Sequence, residues 1–350
     1  MESSSAPNFR RSLGTFAQTE ASDRSSGLQE HHQERTKSPD VSCVWAVAET
    51  KAGTLTQCLG VGKQLHPEPV VKLISRSRGL KRLFEPPLFR KKEQRPELVI
   101  SCGFRAEPAV LDIKDTYGGR PLTVHLQRPR IEGYDLVFVS RHDWVDELSS
   151  RPNYHQMVGV PHQITSARLA SIREEARNRL SPDGRPVVAV FVGGSNGAYI
   201  YDESTHENIC GAIKQLEKDG WRIVVSVSRR SEDDTQRVLS TLNSESITVW
   251  DRRSENPYLS YMAASDAFLI AKDSITMPCE ALATGKPVFI LNLKSIPGPR
   301  LDKFERYHWD LREILQLTRL FEGKIETYTY EPLEETRRIA SVIRSELTRA

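Results

Sequence analysis

"VVAVFVGGSNGAY", residues 187–199, decides how the rest of the chain is read. Val187–Val192 are six consecutive apolar residues, mostly β-branched, and they run straight into Gly193, Gly194, Ser195, Asn196 and Gly197. A short apolar run ended by glycine reads as a strand buried on both faces, the kind from which parallel sheets are built. Ligands of open α/β sheets bind beyond the carboxyl ends of such strands. Two glycines there would let backbone N–H groups face a cleft with no Cβ in the way, which suits a phosphate or pyrophosphate. The alternative is a glycine turn that merely connects two elements.

The same grammar extends both ways. Upstream, "CVWAVA" (43–48), "VVKLIS" (70–75), "ELVISC" (97–102), "LTVHLQ" (122–127) and "DLVFVS" (135–140) read as strands, with helical spacing at 55–65 and after Cys102. Downstream come strands at 221–228, 247–250, 267–271 and 287–293, with helices expected near 204–217, 231–242, 257–264, 276–284 and 332–348. Ser204 with Glu207 suggests a capping box for the first of these helices. Such alternation specifies parallel α/β layers. The expected architecture is two Rossmann-like domains facing a cleft. Residues 41–165 form the N-terminal, acceptor-side domain, 166–186 a linker helix, 187–331 a nucleotide-binding domain and 332–350 a C-terminal helix.

Composition bounds the function. With 350 residues, 38% hydrophobic, 27% charged and no long apolar run, the chain has no candidate membrane span. A net charge of +3 gives no global case for nucleic acid as a partner. Five dispersed cysteines without CxxC spacing argue against disulfides or structural zinc and for a reducing, cytoplasmic compartment. Residues 1–40 are too poor in apolar side chains to offset ordering entropy and are expected to be a disordered tail. They lack the apolar core of a secretory signal, and Glu2, Glu20, Asp23, Glu30 and Glu34 make them a poor transit peptide.

A second segment strengthens the phosphate reading. "AKDSITMPCEALATGKPV", 271–288, ends a strand in a polar loop with Asp273, Ser274 and Thr276 and then starts a helix near Pro278. Proline in a first turn leaves N–H donors uncommitted, and Glu280 stands where it can accept hydrogen bonds from two sugar hydroxyls. The bland reading of Glu280 is a first-turn acid favoured by the helix dipole. Arg229 and Arg230, after the strand 221–228, could neutralise a diphosphate leaving group without a metal. No carboxylate cluster has metal-ligand spacing, so no catalytic metal and no cofactor beyond a UDP-type sugar nucleotide is expected.

Gly193–Ala198 together with Ser274, Glu280-Ala281 and Gly285-Lys286-Pro287 resembles the donor half of a GT-B glycosyltransferase. It is most similar to the bacterial enzyme that adds N-acetylglucosamine to the lipid-linked peptidoglycan precursor. That likeness implies that both loops hold a nucleotide diphosphate and that Glu280 binds ribose.

A wider resemblance, over 44–323, is to the mitochondrial fission (elongated mitochondria) family. It is carried by Lys51, Gly53 and Gln57, "RPR" (128–130), "DLVFVSRHD" (135–143), "GGS" (193–195), "SRR" (228–230), "NPY" (256–258), "DSITMPCEALATGKPV" (273–288) and "KFERYH" (303–308). It implies a GT-B-like fold, with Lys51, Gly53 and Gln57 on the acceptor side, and a link to recruitment of a dynamin-related partner. The family's first-loop histidine is replaced here: the loop reads Glu49-Thr50-Lys51-Ala52-Gly53-Thr54.

A base for sugar transfer must then come from elsewhere in the N-terminal half. Glu49, ending the first strand, is preferred, with His142 and Asp143 as alternatives. Those two could instead be a surface histidine and a helix cap. Residues 76–92 mix Arg76, Arg78, Lys81, Arg82, Arg90, Lys91 and Lys92 with Leu80, Leu83, Phe84, Leu88 and Phe89. The mixture suits either an anionic membrane surface or a solvated loop. The leading expectation is a peripheral glycosyltransferase acting on a membrane-associated acceptor. Its rivals are a non-catalytic adaptor for a membrane-remodelling partner and a nucleotide-sugar epimerase.

Overall fold

The computed structural model describes residues 41–74 and 93–349. The expected disordered tail and the basic segment 76–92 lie outside the described residues.

The N-terminal half contains β1 (Val44–Glu49), α1 (Ala52–Leu65), β2 (Val70–Ile74), β3 (Leu98–Cys102), α2 (Glu107–Thr116), β4 (Leu122–Leu126), β5 (Leu136–Ser140) and β6 (Tyr154–Met157). The C-terminal half contains α3 (Ser166–Leu180), β7 (Val187–Val192), α4 (Glu203–Lys218), β8 (Arg222–Val227), α5 (Asp233–Ser240), β9 (Ile247–Val249), α6 (Tyr258–Ala264), β10 (Ala267–Ala271), α7 (Thr276–Leu282), β11 (Val288–Leu291), α8 (Pro299–Trp309) and β12 (Arg319–Leu320). The helix α9 (Glu335–Arg349) comes last.

Each half is a six-stranded sheet, ordered β2-β1-β3-β4-β5-β6 and β12-β11-β10-β7-β8-β9, and every strand pair is parallel. Strands β1, β3, β4, β5, β7 and β10 are buried along their whole length, because helices cover both faces. That burial is why they read as unbroken apolar runs. The strand order reverses between β1 and β3 in one sheet and between β7 and β10 in the other. A crevice opens at the carboxyl end of each such switch point.

Two elements depart from the expected partition. The helix α3, expected as a linker, packs on α6 and sends Leu169 into a core shared with Phe191, Phe268 and Tyr261. It belongs physically to the C-terminal half. The last helix instead returns to the other half, where Ile339, Ala340 and Ile343 pack with Val44, Cys58, Val61 and Leu98. The chain therefore passes between the halves twice, and the passages touch: the His162 N–H donates to Thr336 Oγ1 (3.0 Å). The cap of α4 also differs from expectation. Asp202 accepts the Thr205 N–H (3.1 Å), so the helix starts one residue before Ser204.

Candidate functional site at the carboxyl ends of the two sheets

At the β7/β10 switch point the polypeptide closes around one carboxylate. Asp273 is 1% exposed. Its Oδ2 accepts the Gly194 N–H (3.0 Å) and Arg230 Nη2 (3.0 Å), and its Oδ1 accepts the Tyr201 hydroxyl (2.8 Å). The same hydroxyl accepts the Gly193 N–H (3.1 Å). Burial raises the Asp273 pKa, while Arg230, Gly194 and Tyr201 pull it back. Gly193 is required by contact: a Cβ there would lie 1.7 Å from Asp273 Oδ2.

This arrangement corrects the expectation that the glycine loop presents free N–H groups to a phosphate. Gly193 is held by Tyr201, Gly194 by Asp273, and Ser195 by Glu232 Oε1 (3.0 Å). The Ser195 hydroxyl accepts the Tyr201 N–H (3.0 Å). Asn196 braces the loop, its Oδ1 accepting from Ala198 (2.7 Å) and Tyr199 (3.1 Å) and its Nδ2 donating to the Asp273 carbonyl (3.2 Å). The two carboxylates occupy the anion positions themselves. Of the two arginines, Arg230 is committed to Asp273, whereas Arg229 is exposed and forms no ion pair among the described residues.

Beside this cluster, α7 starts where expected, and its first free donor is capped by Ser274, whose Oγ accepts the Met277 N–H (3.1 Å). Thr276 is half-buried at the helix start. Glu280 is half-buried too, and its Oε2 accepts the Tyr258 hydroxyl (2.6 Å), leaving Oε1 for a ligand. Burial pushes the Glu280 pKa up to about 7, with the Tyr258 hydrogen bond opposing. Its ordinary value is near 4.5, so the folded chain holds the proton more tightly than the unfolded chain. Stability is therefore lost as pH rises from about 4.5 to about 7, and the whole penalty stands above that.

Glu280→Gln is accordingly expected to be more stable than the unaltered protein at pH 8, by about 1–3 kcal/mol, and equal to it near pH 4. A carboxylate accepts a ribose hydroxyl better than a carboxylic acid does. If Glu280 holds a ribose, nucleoside affinity should thus rise between pH 6 and 8 in the unaltered protein and stay flat in the variant. Urea titrations and calorimetry at those pH values check both, and a flat pH profile in both proteins removes Glu280 from the site.

The β1/β3 switch point is built in the same way. Glu49 ends β1 and is 1% exposed. Its Oε1 accepts the Arg105 N–H (3.4 Å), and Lys51 Nζ lies 3.2 Å from Oε2. Gly103 follows β3 at φ +93°, in the left-handed region, and a Cβ there would lie 2.9 Å from Glu49 Oε1. Lys51 stands at the start of α1 and is half exposed, and a Cβ on Gly53 would meet nothing within 4 Å. Gln57 faces inward and accepts the Cys102 thiol (3.4 Å). Glu49, Lys51, Gly53 and Gln57 are thus gathered at one strand end.

His142 and Asp143 are placed elsewhere, in a 3-10 turn (Arg141–Asp143) pressed against α8 of the other half. Arg141 Nε and Nη2 grip the Asp310 carboxylate at 2.8–3.1 Å. Asp143 pairs with Lys303 (2.5 Å), and Arg306 donates to the His142 carbonyl (3.2 Å). Burial pushes the His142 pKa down to about 4, with Lys303 and Arg306 adding to the effect and Asp143 opposing it. These side chains join the halves at the carboxyl edges of the sheets, so the two switch points look into one cleft.

Sequence reading missed Tyr201, Tyr258, Glu232, Gly103 and Arg105. Tyr258 stood in the quoted "NPY", but nothing in its spacing ties it to Glu280. Among the described residues no group of three or more His, Cys, Asp or Glu could hold a metal ion, and no helix is long and apolar enough to cross a membrane.

Comparison with known proteins bears on the family and the fold. The family described as Mitochondrial fission ELM1 matches residues 52–347. The Mitochondrial fission protein ELM1 of Arabidopsis thaliana is 23% identical over 278 residues, 72% of this chain and 64% of that protein. The chain therefore spans just under two thirds of that relative's length. Uncharacterized protein RP120 of Rickettsia prowazekii (strain Madrid E) is 22% identical over 290 residues, 71% of this chain and 79% of that protein. Among solved structures, the UDP-GlcNAc 2-epimerase from Methanocaldococcus jannaschii superposes with a TM-score of 0.52 at 11% identity, covering 86% of this chain and 99% of that one. At that identity the likeness shows a shared fold, the GT-B arrangement of two facing Rossmann-like halves.

Proposed function

The chain belongs to the Mitochondrial fission ELM1 family, and from that premise we propose that it binds a nucleotide-sugar beside β7 and β10 and transfers the sugar to a membrane-associated acceptor. The observation that carries this reading is the facing pair of crevices. One holds a carboxyl group, Glu280, with one oxygen left by Tyr258, on the short helix that starts at the hydroxyl-bearing Ser274 and Thr276, while the unpaired Arg229 stands exposed after β8 of the same sheet. The other holds Glu49, buried at a strand end in the acceptor half. In this scheme Glu49 takes the proton of the acceptor hydroxyl as it attacks the anomeric carbon. Arg229 meets the negative charge of the departing diphosphate, with no cofactor and no metal required. A UDP-linked donor is the first to test. Segment 76–92, between β2 and β3 in the sequence, has a composition that suits an anionic membrane surface.

Arg229→Ala should weaken a nucleoside diphosphate about tenfold or more while leaving the nucleoside unchanged, because only a charge-assisted phosphate contact is lost. Calorimetry with UDP and uridine measures both. Equal losses would assign Arg229 to the base or to the fold. Arg230→Ala is a poorer probe, since it also removes a partner of the buried Asp273.

The adaptor reading has one observation in its favour: the N–H groups of Gly193, Gly194 and Ser195 already have internal acceptors. Tight binding of a nucleotide-sugar with no turnover on any membrane extract would replace transfer by that reading. Inversion of the bound sugar without an acceptor would replace it by epimerisation.

A further inference from the structure

We infer that the rim formed by Phe104, Arg105, Arg128 and Arg130, beyond the carboxyl ends of β3 and β4, is a clamp for a phosphate- or diphosphate-bearing acceptor. The inference deepens the transfer reading and rests on it only for the word acceptor. Phe104 is 42% exposed, an aromatic ring standing at the mouth of the β1/β3 crevice. The guanidinium carbon of Arg130 lies 4.4 Å from the centre of that ring, and that of Arg105 lies 5.5 Å from it. A cation–π contact consumes none of the guanidinium N–H donors, which stay available for phosphate oxygens.

None of Arg105, Arg128 and Arg130 forms an ion pair among the described residues, whereas several cations of the other half are paired. Lys272, Lys294 and Lys303, for example, each meet a carboxylate. The loop that carries Arg128 and Arg130 is held from below. Glu107, 1% exposed, accepts the backbone N–H groups of Arg130 and Ile131 at 3.0 Å each. Beneath it lie His125, whose Nδ1 is 2.9 Å from Ser101 Oγ, and the Tyr134 ring, 4.9 Å from that imidazole. Glu107 therefore acts as a positioning residue for Arg130. The clamp is also contiguous with the proposed base, because the Arg105 N–H reaches Glu49 Oε1. An anion held there brings a hydroxyl on the same molecule to Glu49.

The test is calorimetry with inorganic pyrophosphate at low salt, on the full chain. Arg128 and Arg130 are exposed, so Arg128→Ala/Arg130→Ala should fold normally, which thermal unfolding verifies. The double variant should lose about 10–100-fold in pyrophosphate affinity, as should Arg105→Ala/Arg130→Ala. Unchanged affinity in both double variants, or no pyrophosphate binding by the unaltered protein, overturns the clamp.

Flotation with phosphatidylcholine vesicles, with and without phosphatidic acid, separates the sources. Binding to phosphatidic acid that Arg128→Glu/Arg130→Glu abolishes assigns the clamp to a lipid phosphate. Pyrophosphate binding without a vesicle difference assigns it to a free one. Failure of UDP to bind, with the pyrophosphate losses intact, leaves the clamp standing and removes the transfer reading.

Discussion

Replacing Glu49 by Gln should lower sugar transfer by about 10²–10⁴-fold while nucleotide affinity stays unchanged. The substitution keeps the size of the side chain and can still accept the Arg105 N–H, but it cannot take a proton. The fold should tolerate it, because Lys51, the cation paired with Glu49 among the described residues, is half exposed and free to turn into solvent. The crevice proposed for the nucleotide belongs to the other sheet, so donor binding should not respond. Asp143→Asn and His142→Ala supply the contrast. Their side chains are committed to Lys303 and to the contact with α8, so their losses should appear in stability rather than in turnover per folded molecule. Single-turnover assays with a UDP-linked donor and a membrane extract measure this. A Glu49→Gln variant that works as fast as the unaltered protein ends the assignment.

The second large effect concerns Gly193, where one added methyl group should cost roughly 3–5 kcal/mol. Its Cβ would sit 1.7 Å from Asp273 Oδ2 and 2.3 Å from Oδ1. Asp273 has nowhere to go: the Gly194 N–H, the Tyr201 hydroxyl and Arg230 all converge on it. Moving it strands a buried carboxylate without donors, which outweighs the overpacking itself. The melting temperature should fall by about 10 °C in a chain of this size. Asp273→Ala should also destabilise, yet the double variant should lose less than the sum of the two single losses, since the clash disappears with the carboxylate. Full additivity, or a Gly193→Ala melting point within about 2 °C of the original, would show that the loop moves aside.

The two halves were legible in the sequence because doubly covered parallel strands cannot hide: Val187–Val192 and Leu98–Cys102 have no polar side to disguise them. β6, with Tyr154, His155 and Gln156 at a sheet edge, lacks that signature and was missed. So was α8, whose charged residues make contacts rather than a core stripe. Within the site, Glu280 and the strand-end position of Glu49 could be read from local order alone. The occupancy of the glycine loop could not, since it depends on Asp273, which lies 79 residues from Gly194, and on a carboxylate at the start of α5. His142 and Asp143 show the same gap. Their strand-end position was visible, but the helix that would settle on them was not.

The return of α9 to the N-terminal core sets an order of events during synthesis. Everything from β1 to β6 leaves the ribosome by residue 157, yet the part of this core that Ile339, Ala340 and Ile343 complete stays open until residues 335–349 follow. At ordinary translation speeds of about 5–20 residues per second, that interval is about 10–40 s. Through it the C-terminal half is made, while the half made first waits with that face open. The first domain to be made is the last to be finished.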